Sequence, residues 1–80
     1  MSQHVCRWGI FGAAFIARKN WQAIRNASNC TLLAVASRDQ QRCKQFIGDC
    51  HAHSAFASPP AALGSYEELL DRSDVEQKVL

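Results

Sequence analysis

Gly12 and the pair Ser37-Arg38 are the residues of this chain whose types and placing could bind a phosphorylated ligand. Gly12 closes the apolar run Trp8–Phe11 and stands before Ala13, Ala14, Phe15, Ile16 and Ala17. Glycine permits a tight turn that a side chain would obstruct. A helix opening just after such a turn directs its first free N–H groups back at it, and a helix start of that kind binds phosphate. The run Gly12–Ala17 fits the pattern G-x-G-x-x-G/A, with alanine at the last position and Ala14 in place of the middle glycine. A methyl group there would keep the backbone slightly further from a pyrophosphate. One reading is a pyrophosphate-binding turn of a dinucleotide site. The other is a simple strand-to-helix turn whose small residues serve packing.

Ser37-Arg38 adds a second clue, because it follows the apolar run Cys30–Ala36. Dinucleotide folds that select NAD usually end their second strand with an acid that takes the ribose hydroxyls. A carboxylate at that place would repel a 2′-phosphate, whereas a guanidinium pairs with phosphate bidentately and stacks on adenine. The expected cofactor is therefore NADP in preference to NAD. Ser37 and Gln40 also fit a helix capping box, which would use the serine and leave Arg38 free. Arg42, one helical turn later, either adds charge or is merely solvated.

The elements that must position these residues are legible from periodicity. Val5–Phe11 reads as a strand, with Arg7 near its exposed amino-terminal end. Residues 14–27 have a helical period: Ala17, Trp21 and Ile24 form one row, Ile16, Ala23 and Ala27 flank it, and Arg18, Gln22 and Arg25 lie opposite. Asn20 falls inside the apolar arc. Cys30–Ala36 is apolar on both faces, as a central parallel strand requires. A second helix is expected over residues 39–49 or a little beyond, with Cys43, Phe46, Ile47 and Cys50 inward. Histidines, small residues and Pro59-Pro60 fill residues 51–60. Residues 61–63 read as a short strand. Ser65 and Glu68 form a capping box opening a short helix that carries Tyr66, Leu69 and Leu70 inward. Residues 75–80 read as a fourth strand, a poor buried one because of Gln77 and Lys78. Alternating strands and helices with short links imply parallel βαβ units. The expected fold is α/β, a partial doubly wound parallel sheet of the Rossmann type, with three to four strands in the order 3-2-1-4.

Composition excludes several classes. An apolar share of 48% argues against disorder. The net charge of +2 is uneven: residues 1–44 carry seven Arg and Lys against Asp39 alone, and residues 45–80 carry two against six acids. A basic first half suits an anionic ligand there, though solvated helix faces account for much of it. The cysteines at 6, 30, 43 and 50 have neither CxxC nor disulfide-module spacing, and read as reduced, buried thiols of a cytoplasmic protein. Cys50, His51 and His53 lack a fourth ligand and ordered spacing, so no metal site is expected. Residues 8–17 are too short an apolar run to span a membrane, and lack the leucine and clear cleavage site of a signal peptide.

Taken together, WGIFGAAFIARK, LLAVASRD, RCKQF and GSYEELLDRSDVE, spread over most of residues 7–76, resemble the glucose–fructose oxidoreductase / inositol dehydrogenase / MocA-like oxidoreductases. The ASRD segment is most similar to the NADP-using members, which include dihydrodiol and sugar dehydrogenases. The resemblance implies that residues 1–80 are the N-terminal part of a dinucleotide-binding Rossmann domain, without the substrate domain that follows it in the family. Gly12, Ala13, Ala14, Phe15 and Ile16 would line the pyrophosphate, and Ser37 and Arg38 would hold the adenosine 2′-phosphate. The family's catalytic lysine lies in a Glu-Lys-Pro motif beyond the fourth strand. Lys78 is in no such motif, so no catalytic residue is assigned.

Two functions from different classes follow. The first is the NADP-binding portion of an oxidoreductase that transfers a hydride between NADP and a sugar, polyol or diol, inactive alone. The second is a non-catalytic nucleotide-binding or interaction module whose open sheet edge takes a partner chain or a second copy. Neither a nucleic-acid nor a membrane partner is expected.

Overall fold

A computed structural model describes residues 5–12 and 15–79, with the backbone alone for Phe15 and Ile16. Strands and helices alternate: β1 (Cys6–Phe11), α1 (Phe15–Asn26), β2 (Cys30–Ala36), α2 (Gln40–His53), β3 (Ala61–Leu63), α3 (Tyr66–Leu70) and β4 (Gln77–Val79). The four strands form one sheet in the order β3-β2-β1-β4, and every pairing is parallel. This is the expected partial Rossmann-like sheet. Among the described residues β4 pairs only with β1 and is the sheet's edge. No helix among them is long and apolar enough to cross a membrane.

The sheet separates two cores. On one face Ile10, Leu32 and Val35 pack under α1 (Ala17, Trp21, Ile24) and α2 (Cys43, Phe46, Ile47, Cys50). Both helical rows expected from the 3.6-residue period are buried. Trp21 is their hub: it is 1% exposed and meets Phe46 and Phe56 edge to face, at 6.1 and 5.2 Å between ring centres. Its indole N–H donates to the Ser54 carbonyl at 2.9 Å, and Arg25 Nε donates to the Ala55 carbonyl at 2.6 Å. Arg25 thus ties the chain after α2 back to α1, in addition to being solvated. The Cys43 thiol donates to the Val35 carbonyl at 3.1 Å, and burial pushes its pKa up.

The other face is thinner. Leu69 of α3 and Val75 cover Ala34 and Ala36, with Phe11, Leu33 and Leu63 alongside. Leu69 reaches β1 because Gly9 has no side chain. A Cβ at Gly9 would lie 2.6 Å from Leu69 Cδ1 and 3.1 Å from Val75 Cγ1. Leu69 is fully buried and has little room to yield. Gly9→Ala is expected to lose about 1–3 kcal/mol of stability through overpacking. The measurement is the urea midpoint, which should fall at unchanged slope.

β2 carries one residue more than β1 opposite it. Trp8 pairs with Leu32 but Gly9 pairs with Ala34, so the register slips by one at Leu33. A bulge of this kind interrupts the alternation of faces. Leu32 and Val35 accordingly share the α1–α2 face, while Leu33, Ala34 and Ala36 take the α3 face.

Several details depart from the sequence reading. α2 is capped by Asp39, whose carboxylate accepts from the N–H groups of Gln41 and Arg42 at 3.0 and 3.2 Å. Ser37 lies too early to cap it, and the Ser37–Gln40 capping box does not form. α2 runs on to His53, so His51 and His53 are helical rather than part of the following loop. Of the α3 residues expected inward only Leu69 is buried, and Leu70 is 61% exposed. A helix of five residues offers the sheet one inward position. Ala23 is exposed, and Asn20 stands at the rim of an open apolar groove with Trp8, Ile24 and Val79. Cys43 and Cys50 are buried as expected, whereas Cys6 and Cys30 are only partly so.

Candidate functional site

The carboxyl ends of β1 and β2 lie side by side and carry Gly12 and Ser37-Arg38 respectively. In open parallel α/β sheets, ligands bind outside the carboxyl ends of the strands, at the point where strand order reverses. Here that point is β1, with β2 on one side and β4 on the other.

Gly12 has φ +96°, a conformation that side chains rarely adopt. Its N–H donates to the Ala36 carbonyl at 2.6 Å, which fixes the turn against the end of β2. Among the described residues, its chain neighbours aside, nothing lies within 4 Å of where its Cβ would be. The positive φ by itself demands a glycine here. Gly12→Ala is expected to cost about 1–2 kcal/mol through the positive φ alone, read as a lower thermal midpoint. α1 begins three residues later, at Phe15. Ala13 and Ala14 lie outside the described residues, as do the side chains of Phe15 and Ile16.

Ser37 is 7% exposed. Its N–H continues the β2–β3 ladder to the Leu63 carbonyl at 3.0 Å, and its hydroxyl accepts from the Asp39 N–H at 3.3 Å. The serine thus shapes the turn that presents Arg38. The acid in this stretch, Asp39, is turned onto the α2 N-terminus and occupied there. Arg38 itself is exposed and makes no ion pair among the described residues. Its guanidinium carbon sits 5.8 Å from the centre of the Tyr66 ring. Tyr66 in turn meets Phe11 edge to face at 5.6 Å and 88°. A cation over an aromatic face is attracted by the ring quadrupole.

The structure thus brings Gly12, Ser37 and Arg38 to one end of the sheet and adds Tyr66 and Phe11. Sequence reasoning placed Tyr66 in the core, yet it is 37% exposed. Tyr66 stands at the first position of α3, held there by the Ser65–Glu68 capping box. In that box Glu68 accepts from the N–H groups of Gly64 and Ser65 at 2.9 and 3.1 Å. The sequence signal for Tyr66 was its place directly after an N-cap that follows a strand, since such positions face the carboxyl end of a parallel sheet.

No protein-family model matches the chain. Among solved structures it is similar to KijD10, a 3-ketoreductase from Actinomadura kijaniata in complex with NADP, at 26% identity and a TM-score of 0.74 over 94% of this chain. The same enzyme in complex with NADP and TDP-benzene matches at 28% identity and a TM-score of 0.71 over 94% of this chain. An open conformation with both ligands matches at 28% identity and a TM-score of 0.70. The chain spans about a fifth of the length of these structures, 22% in the first case.

Proposed function

We propose that this chain is the adenosine-binding portion of an NADP-dependent oxidoreductase of the glucose–fructose oxidoreductase / inositol dehydrogenase / MocA type. The observation that carries the reading is Arg38, an exposed guanidinium with no ion pair among the described residues, at the carboxyl end of β2, where an NAD-selective fold would place an acid. The chemistry of the residues fits NADP. Gly12 and the backbone at the start of α1 would take the pyrophosphate, Ser37 would shape the turn, and Arg38 would pair with the 2′-phosphate. The likeness to NADP-bound 3-ketoreductase structures supports the same cofactor.

NADP bound here would supply hydride chemistry at its nicotinamide end. Hydride transfer also needs a substrate carbon held against that ring and a group to move the hydroxyl proton. The residues gathered at this site bind and orient, so the 80-residue chain is expected to bind cofactor without turning substrate over. A sugar, polyol or diol is the proposed substrate class of the whole enzyme. Calorimetric titration of NADP and NAD against the chain tests the reading. Tighter binding of NADP supports it, and equal or tighter binding of NAD overturns it.

A further inference from the structure

Cys6 and Cys30 stand opposite each other in the β1–β2 register, at the end of the sheet away from Gly12 and Arg38. Strand alternation puts both on one face, Cys6 with Trp8 and Ile10, Cys30 with Leu32. Neighbouring strands run about 4.8 Å apart, and disulfides join residues whose Cα atoms lie about 4.4–6.8 Å apart. The Cys6 N–H donates to the Asn29 carbonyl at 2.8 Å, which fixes the two strand ends against each other. Both cysteines are partly exposed, whereas Cys43 and Cys50 lie on the inner face of α2 at 0% and 6% exposure. Among the described residues neither thiol makes a hydrogen bond beyond a long 3.7 Å contact from Cys30 Sγ to Asn29 Oδ1.

We propose that Cys6 and Cys30 are an oxidation-sensitive thiol pair, which hydrogen peroxide converts into an intramolecular disulfide clipping β1 to β2. One sulfur, as thiolate, attacks a peroxide oxygen; the O–O bond breaks, leaving a sulfenic acid and one water after protonation. The second sulfur attacks the sulfenic sulfur, the S–S bond forms and a second water leaves. Overall the two thiols lose two electrons and two protons, and hydrogen peroxide is reduced to two waters. Desolvation raises the Cys6 pKa, with Glu76 and Cys30 pushing the same way and Arg7 opposing. Reaction therefore depends on proximity and not on an activated thiolate.

The test uses the full chain, treated with hydrogen peroxide, alkylated and digested with trypsin without reduction. Cleavage after Arg7, Arg25 and Arg38 frees Cys6 in residues 1–7 and Cys30 in residues 26–38, and cleavage after Arg42 and Lys44 separates Cys43 from Cys50. The expected product is a monomer lighter by two hydrogen atoms, with a cross-linked pair of those two peptides and two of its four thiols remaining. A thiol reductant should restore all four. Cys6→Ser and Cys30→Ser should each abolish the cross-linked pair, and treatment in urea should remove the preference for it. Survival of all four thiols, sulfinic acids without a cross-link, cross-links between chains, or pairing through Cys43 or Cys50 would each overturn the proposal.

Discussion

Trp21→Ala is expected to remove most of the stability of this chain. Trp21 is almost wholly buried between α1, α2 and the segment after α2, and its ring meets both Phe46 and Phe56. Truncating a buried tryptophan costs about 3–5 kcal/mol, partly in lost transfer free energy and partly in the cavity left behind. The Ser54 carbonyl would also lose its indole donor. In chains of about 80 residues or fewer a single hydrophobic core rarely supplies more than about 3–5 kcal/mol, so this chain has little beyond what Trp21 contributes. Chemical denaturation followed by circular dichroism should show the Trp21→Ala chain largely unfolded without denaturant. Trp21→Phe separates the contributions: it keeps a ring against Phe46 and loses the bond to Ser54, and should fall between the two. A Trp21→Ala chain as stable as the parent would mean that the α1–α2 core is not what holds the sheet.

Arg38→Glu is expected to weaken NADP binding by roughly 100-fold while leaving NAD within about twofold, reversing the preference between them. Truncating one member of a hydrogen-bonded charge pair costs about 2–5 kcal/mol, and reversing its charge adds repulsion. NAD has no 2′-phosphate and does not experience either effect. Arg38 is exposed, and its guanidinium lies over the Tyr66 ring, so stability should change by less than about 0.5 kcal/mol. Parallel titrations of both nucleotides, with melting curves of both chains, make the comparison. Equal losses for NADP and NAD would place Arg38 at the pyrophosphate or adenine and not at the 2′-phosphate.

The periodic parts of the sequence carried the fold. Ala17, Trp21 and Ile24, and then Cys43, Phe46, Ile47 and Cys50, repeat at helical spacing and are all buried. The apolar Cys30–Ala36 run is paired on both sides, and the strand order follows from alternation with short links. Gly12 was legible because a glycine between a strand and a helix has few other reasons to be there. What escaped depends on contacts between distant residues. Ser37 and Asp39 both qualify as N-caps by type, and only the end of the β2–β3 ladder decides between them: Ser37 still belongs to it, through Leu63. Gly9 looks like an ordinary strand residue until Leu69 is laid on it. Tyr66 looks apolar enough for a core, but the first residue of α3 sits above the sheet's end.

The extra residue in β2 acts as a phase shift within the strand. A regular strand with Ala34, Ala36 and Arg38 on the α3 face would put Leu32 there too, out of the core under α1 and α2. One with Leu32 under those helices would send Arg38 towards α2, away from Tyr66. The residue inserted at Leu33 changes the phase once, between the half of the strand that anchors the core and the half that leads to the site. Without it, this sequence could bury Leu32 beneath the helices or set its arginine beside Tyr66, but not both.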